Sequence, residues 1–278
     1  MTKVLTKGKI AIAALVVALM AGAMLLLAGC GQQQVTLQIF AANSLQKALP
    51  EVQALYTQKN PNVTFADTQF KGSGDLVTEL QGGASADALI TASTSSMDNA
   101  SKNGSIDDST RQDMFGNDLV IAEGTNENYN ITSLNDVTDA QYSKIAIGES
   151  SAVPAGAYAN QALNTIGLYS DASGKGGTYA SSFASKVVTD SSVGNVAQHV
   201  QSGDCQIGFV YSSDIYRYSG IKVAFTVPAS AHKTITYPGA VCTGSQNAKA
   251  AADFLNFCMT DPDAQNIWSQ YGFEVLNS

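Results

Sequence analysis

Short apolar strand patterns alternate with helix patterns from residue 35 onward, and this alternation constrains the fold more than any other feature. Residues 35–40 predict a buried strand, and residues 45–56 follow with apolar side chains at helical spacing. Strand patterns recur at 86–93, 117–124 and 143–150, each followed by a helix or a turn. Such alternation predicts α/β layers with mainly parallel sheets, in which ligands bind at the carboxyl ends of the strands.

The N-terminal residues are typical of an export signal. Lys3, Lys7 and Lys9 precede an apolar run at 10–28, which ends in Leu-Ala-Gly directly before Cys30. The Leu-Ala-Gly-Cys ending resembles the lipobox of bacterial lipoproteins, so we predict a lipoprotein signal peptide at 1–29, lipidation of Cys30 and a lipidated tether at 30–34. An uncleaved transmembrane anchor is the alternative, since about 20 apolar residues can span a bilayer. Either way, we expect the rest of the chain outside the cytoplasm, anchored to the cell membrane.

The charge of the chain excludes one class of partner. All 23 Asp and Glu residues follow Cys30, whereas three of the 15 Lys and Arg residues precede it, so the net charge from Cys30 onward is 12 − 23 = −11. This balance argues against a nucleic-acid partner, which requires a basic face.

Three cysteines follow Cys30, and none forms a C-x-x-C pair, so neither a zinc site nor a thioredoxin-type site is indicated. In an oxidising compartment, one disulfide can form among Cys205, Cys242 and Cys258. We favour the pair Cys242–Cys258.

Four junctions between a strand and a helix carry small residues at 41–45 (AANSL), 70–76 (FKGSGDL), 150–159 (SSAVPAGAYA) and 189–196 (TDSSVGNV). Helix starts expose unpaired backbone N–H groups at the positive end of the helix dipole, which favours an anion. Ordinary capping explains any one junction, but four together favour a shared ligand. Tyr211 ends a strand pattern on the same side and adds a phenol that can donate a further hydrogen bond.

Catalytic motifs are absent from the sequence. The chain has two histidines, His199 and His232, and no G-x-S-x-G elbow, since GESSA at 148–152 differs at its last position. It also has no G-x-x-x-x-G-K-[ST] loop and no visible cluster of metal ligands. We therefore predict a protein that is not an enzyme and that carries no cofactor.

Several of these stretches match a known family. The segments 39–49, 70–93, 153–163 and 192–214 resemble the strands and ligand loops of the molybdate-binding proteins of bacterial ABC importers, and VPAG with GFVYSSD is the most specific pair. The resemblance covers nearly everything from residue 35 onward. It implies the two-lobed type II periplasmic-binding fold, in which each lobe is a mostly parallel sheet flanked by helices and the ligand lies in the cleft. Lobe 1 would comprise 35–117 plus 224–278 and lobe 2 would comprise 118–223, with hinges near 117–121 and 223–236.

The resemblance also implies a ligand site. Ser44 and Ser73 would each give a hydroxyl and a backbone N–H, Ala155 and Val193 would give backbone N–H groups, and Tyr211 would give its phenol. The ligand would be molybdate or tungstate, held by neutral donors and delivered by a monomeric protein to an ABC permease in the membrane. At 170–188 the chain is longer than the family pattern.

Three alternatives stay open from the residues. One is a binding protein for another anion, or for a ferric complex held by Tyr211, Tyr216 and Tyr218. A second is an extracytoplasmic hydrolase that uses Ser44 or Ser73 with one of the histidines. The third is a surface adhesin or structural lipoprotein without a small ligand.

Overall fold

The computed structural model describes residues 34–276, so the predictions for the signal peptide and for Cys30 lie outside the described residues. The strands are β1 (Val35–Leu37), β2 (Ile39–Ala42), β3 (Val63–Phe65), β4 (Gln69–Lys71), β5 (Ala88–Ile90), β6 (Gln112–Gly116), β7 (Leu119–Gly124), β8 (Ile145–Gly148), β9 (Val187–Asp190), β10 (Ile207–Tyr211), β11 (Ile221–Thr226), β12 (Thr236–Val241) and β13 (Glu274–Val275).

The α-helices of this part of the chain are α1 (Ala48–Lys59), α2 (Ser73–Gln81), α3 (Thr94–Lys102), α4 (Pro154–Thr165), α5 (Ser181–Ala184), α6 (Val193–Ser202), α7 (Ser212–Arg217), α8 (Ala248–Thr260) and α9 (Pro262–Gln270). Short 3₁₀ turns occupy Asn43–Leu45, Asp108–Thr110, Leu134–Thr138 and Ala229–Ala231. Between residues 34 and 276, none of the helices has the length and apolar character that a membrane span requires.

Two large sheets organise the fold. The six-stranded sheet has the order β13-β6-β12-β5-β2-β4, and the five-stranded sheet has the order β11-β7-β10-β8-β9. We define lobe 1 as the six-stranded sheet with α1–α3, α8 and α9, and lobe 2 as the five-stranded sheet with α4–α7. The short strands β1 and β3 form a separate parallel pair.

Strand pairing in both lobes is mixed, which refines the expectation of mostly parallel sheets. In lobe 1, β2 is parallel to β4 and β5, whereas β12 is antiparallel to β5 and β6. In lobe 2, β8 is parallel to β9 and β10, whereas β7 is antiparallel to β10 and β11. The reason is the direction of entry: β7 and β12 come directly from the other lobe and run away from the cleft. The parallel strands, which are joined by helical crossovers, end at the cleft.

The chain crosses between the lobes twice. β6 leads through Asn117 and Asp118 into β7, and β11 leads through residues 227–235 into β12. The lobe boundaries and the hinges stay predictions. Because β11 pairs with β7 as far as Thr226, we propose that lobe 2 extends to residue 226 rather than to 223.

The preference for a Cys242–Cys258 disulfide is wrong, because both cysteines are free and buried, as is Cys205. Alternate residues of a strand point to opposite faces, and at the end of β12 Val241 packs into one hydrophobic cluster while Cys242 packs into another. Cys258, on α8, belongs to the cluster of Val241. The two thiols are therefore separated by the sheet, and burial raises the pKa of Cys242 to about 12.

Candidate functional site

All five residues predicted to bind a ligand line one cavity between the lobes. Ser44 and Ser73 come from lobe 1, and the other three come from lobe 2, namely Ala155, Val193 and Tyr211. The enclosed space is small, about 10 Å³, which is close to what a single water molecule needs, so the lining atoms of the two lobes lie close together here. That these residues bind a ligand stays a prediction.

The residues meet because the parallel strands of both lobes end at the cleft. Ser44 lies in the 3₁₀ turn directly after β2, and Ser73 begins α2 two residues after β4. In lobe 2, Tyr211 is the last residue of β10, Val193 begins α6 after β9, and Ala155 is the second residue of α4. Strand ends with diverging connections are the usual ligand position of α/β sheets.

The junction after β2 is not explained by ordinary helix capping. Neither the turn Asn43–Leu45 nor α1 has a side-chain cap. The Oδ1 atom of Asn43 instead accepts a hydrogen bond from the backbone N–H of Gly194, at 3.2 Å. Gly194 is the second residue of α6, so the amide of Asn43 connects lobe 1 to a helix start of lobe 2.

Four backbone N–H groups at the cavity make no hydrogen bond within residues 34–276. Each lies in the first turn of a helix, where the N–H groups have no partner inside the helix, and they belong to Ser44, Ser73, Ala155 and Val193. The next N–H of α2 is paired, because Gly74 donates to the carbonyl oxygen of Ala152 at 3.0 Å. The unpaired donors therefore belong to residues that line the cavity.

Two hydroxyls on the cavity wall also have protons to donate. The Oγ atom of Ser73 accepts the backbone N–H of Ala92 at 3.0 Å, so its own proton can point elsewhere. The phenol of Tyr211 lies 3.5 Å from the carbonyl oxygen of Ala92, the outer limit of a hydrogen bond. Burial raises the pKa of Tyr211, which keeps this phenol protonated.

The cavity wall has almost no net charge. Among the described residues, none of those lining the cavity is Asp or Glu, and Lys71 is the one lysine or arginine there. The Nζ atom of Lys71 is paired with Glu79. Behind the wall, Arg217 forms a buried ion pair with Asp214 at 2.5 Å and donates to Asn43 at 3.1 Å. Both cations are thus already neutralised, and N–H and O–H dipoles provide the local field.

Comparison with known proteins gives the family. A family model described as bacterial extracellular solute-binding protein matches residues 37–274. The chain belongs to this family. The molybdate-binding protein ModA of Escherichia coli strain K12 is 31% identical over 243 residues, which cover 85% of this chain and 88% of that protein. YvgL of Bacillus subtilis strain 168, named as an ABC transporter substrate-binding lipoprotein, is 29% identical over 259 residues, which cover 90% of this chain and 94% of that protein.

A solved structure agrees with these relatives. The substrate-binding domain assigned to a molybdenum ABC transporter of Clostridium difficile is 30% identical, covers 87% of this chain and 100% of its own, and has a TM-score of 0.64. The resemblance to molybdate-binding proteins of ABC importers and the two-lobed periplasmic-binding fold are therefore confirmed. Members of this extracellular family bind solutes for transport.

Neither the hydrolase nor the ferric alternative is favoured by the geometry of this family member. His199 pairs with Asp190 at 3.2 Å, and His232 lines a separate cleft, so neither histidine activates a serine of the cavity. The tyrosines proposed for a ferric site do not converge, because Tyr211 is 1% exposed and lines the cavity while Tyr216 is 60% exposed.

Sequence reasoning missed the residues that support the site from behind. Tyr237 contacts Ser44 across 193 positions of sequence, and Asn117 contacts Tyr237 across 120. No local spacing signals such pairs. Asn43 could have been found, because it stands beside Ser44 in the first junction motif.

Proposed function

We propose that this chain is an extracytoplasmic substrate-binding protein that captures molybdate or tungstate and delivers it to an ABC permease in the membrane. One observation carries the proposal: hydrogen-bond donors from both lobes converge on a cavity whose described lining includes no carboxylate. Such a cavity suits a small, fully deprotonated oxyanion. Relatives named for molybdate binding support the choice of ion.

The number of donors is sufficient for tight binding. Four backbone N–H groups and the hydroxyls of Ser44, Ser73 and Tyr211 make seven donors. A hydrogen bond to a charged group contributes about 1.5–3 kcal/mol, so seven contribute roughly 10–20 kcal/mol before the costs of binding. That range permits a dissociation constant on the order of nanomolar.

Selectivity would follow from donor geometry. A ligand that carries its own proton, such as hydrogen phosphate, must donate it, and an unmet donor in a buried site costs about 1–3 kcal/mol. Sulfate has no proton but is smaller, so donors set for the longer metal–oxygen bonds cannot all reach its oxygens.

We also propose that the chain has no catalytic role, acts as a monomer, and is anchored by lipid at Cys30, where the lipobox-like sequence supports the anchor. The lobes would close on the ligand by bending at the two crossings, residues 117–118 and 227–235.

Isothermal titration of the purified protein with molybdate, tungstate, sulfate and phosphate tests the proposal. We expect the first two ions to bind at least about 100-fold more tightly than sulfate, which corresponds to about 2.7 kcal/mol. Binding of sulfate as tight as that of molybdate would refute the assignment of the ligand.

A proline substitution tests whether the N–H of Val193 takes part. Val193 is the first residue of α6, where proline is tolerated, and the preceding Ser192 is extended, as proline requires. Val193→Pro should weaken molybdate binding by about 10- to 100-fold, since a bond to a charged group is lost. Thr94→Pro is the matched control, because Thr94 begins α3 after the extended Ser93 and does not line the cavity.

A further inference from the structure

A chain of hydrogen bonds runs from the first lobe crossing to the cavity. The Nδ2 atom of Asn117 donates to the Oη atom of Tyr237 at 3.3 Å, and that oxygen lies 2.9 Å from the Oγ atom of Ser44. Tyr237 is completely buried, so bulk water cannot replace either partner. Of the three residues in this chain of hydrogen bonds, Ser44 is the one that lines the cavity.

The direction of donation is fixed at Asn117. The backbone N–H of Asp118 lies 2.9 Å from the Oδ1 atom of Asn117, and an N–H can only donate. The hydroxyl of Ser212 donates to the same oxygen at 2.8 Å. With Oδ1 held in this way, the NH₂ group must face Tyr237. The opposite orientation of the amide would set that NH₂ group against the N–H of Asp118.

The orientation of Asn117 influences the direction of hydrogen-bond donation as far as Ser44. Because the Nδ2 atom of Asn117 can only donate, the oxygen of Tyr237 accepts from it and keeps its single proton available for Ser44, whose Oγ atom lies 2.9 Å away. Burial raises the pKa of Tyr237, so the phenol keeps that proton. The Oγ atom of Ser44 is then an acceptor toward Tyr237, and its own proton is free for a partner in the cavity.

We propose that Tyr237 and Asn117 are positioning residues, which orient the hydroxyl of Ser44 as a donor toward the bound oxyanion. The inference rests on the proposed function, since it requires an oxyanion in the cavity. The Ser73 hydroxyl is oriented in a simpler way, by the backbone N–H of Ala92. Both serines that line the cavity thus present protons to ligand atoms that only accept hydrogen bonds.

A double-mutant cycle tests the step from Tyr237 to Ser44. Tyr237→Phe removes one hydroxyl and should weaken molybdate binding about fivefold to tenfold, the usual worth of one net hydrogen bond. In a Ser44→Ala background the same change should alter affinity by less than about twofold, because the residue through which it acts is absent. An equal loss in both backgrounds would overturn the proposal.

Tyr142→Phe is the matched control for this cycle. Tyr142 is also completely buried, and its hydroxyl accepts from Gln141 at 3.2 Å. It precedes β8, at the end of lobe 2 opposite the cavity, so its substitution should leave molybdate affinity unchanged. Melting curves of the ligand-free proteins show whether each variant is folded.

Asn117→Asp tests the direction of the chain by reversing it. An ionised carboxylate only accepts, so Tyr237 would donate to it and the proton of Ser44 would turn toward Tyr237. A lone pair of Ser44 would then face the oxyanion. We expect a loss of affinity at pH 7 larger than that of Tyr237→Phe, with recovery as the pH falls and the new carboxylate becomes protonated.

The effect of the new negative charge at position 117 must be distinguished from the effect of reversing the hydrogen bonds. Asp118 follows position 117 directly, and the helix whose Ser212 and Ser213 contact Asn117 carries the buried ion pair of Asp214 with Arg217; these charged groups are the same in every variant. In a Ser44→Ala background the new carboxylate keeps its charge but has no serine to reorient, so the pH-dependent loss should shrink. A loss that does not depend on pH, or that is equal in both backgrounds, would refute the inference.

The two proposals fail differently. If the wild-type protein binds neither molybdate nor tungstate, the proposed function is refuted, and this inference with it. If the wild-type protein binds and Tyr237→Phe and Asn117→Asp behave as ordinary additive losses, this inference alone is refuted.

Discussion

Gly74→Ala should reduce ligand affinity while leaving the ligand-free protein as stable as before, or more stable. Gly74 is the second residue of α2, and its N–H donates to the carbonyl oxygen of Ala152 in the other lobe. A Cβ atom at this position would lie 2.7 Å from both the Cα of Ala152 and the carbonyl oxygen of Ser151. Real Cβ atoms essentially never approach so closely, so the lobes could not close completely.

The magnitude follows from the movement needed. Ordinary contact begins at 3.4 Å, so the lobes must separate by about 3.4 − 2.7 = 0.7 Å at Gly74. A hydrogen bond of about 2.9 Å would lengthen to about 3.6 Å, beyond the useful range. Loss of two bonds from lobe 2 to a charged ligand costs about 3–6 kcal/mol, or about 10²- to 10⁴-fold in affinity. In an open, ligand-free protein, alanine in a helix is about 0.5–1 kcal/mol better than glycine.

Titration calorimetry with molybdate measures the first effect, and thermal or urea unfolding without ligand measures the second. Gly244→Ala is the control, since a Cβ atom there would meet nothing within 4 Å. A Gly74→Ala protein that binds molybdate like the wild type would refute the role of this contact in closure. A ligand-free protein destabilised by several kcal/mol would show instead that the lobes are closed without ligand.

Three further predictions follow from charges and burial. With a net charge of −11 from Cys30 onward, the protein repels a dianion, so stopped-flow association of molybdate should become faster as ionic strength rises from about 0.01 to 0.15 M; a slower rate would contradict this. Backbone and side-chain hydrogen bonds from Thr132 and Ser133 lower the pKa of Asp136 to about 2. Its stabilisation is therefore present above pH 4 and lost toward pH 2, and the deficit in Tm of Asp136→Asn against wild type should shrink over that range. Burial raises the pKa of Cys205 to about 11 and that of Cys242 to about 12, so a Cys30→Ser protein should react with a thiol reagent only after unfolding, and then at three sites.

The sequence allowed the fold and the five cavity residues to be predicted because both depend on local patterns. Strand-to-helix alternation gave the α/β layers, small residues at strand ends marked Ser44 and Ser73, and the end of a strand pattern marked Tyr211. The resemblance singled out Ala155 and Val193. Strand direction could not be read in this way, because whether β7 and β12 run toward or away from the cleft depends on the crossings between the lobes.

Contacts between residues that are distant in the sequence could not be predicted either. Asn43 next to Ser44 suggests a local cap, but its amide accepts from Gly194, 151 positions away. The cysteines show the same limit: Cys242 and Cys258 are close in sequence, yet the alternation along β12 places Cys242 in one hydrophobic cluster while Cys258, on α8, packs into the other. Sequence distance predicts neither result, because tertiary packing decides which face each side chain occupies.

Two helix starts at the cavity, one from each lobe, share one arrangement. In α2 the N–H of Ser73 is unpaired at the cavity, and the next one, from Gly74, bonds to Ala152 of lobe 2. In α6 the N–H of Val193 is unpaired at the cavity, and the next one, from Gly194, bonds to Asn43 of lobe 1.

The bonds that close the lobes are therefore one residue away from the groups proposed to hold the ligand. Closing without an anion would bring the positive ends of several N–H dipoles together in a space of low dielectric, which is unfavourable. An oxyanion in the cavity removes that repulsion, so binding and closure should stabilise each other.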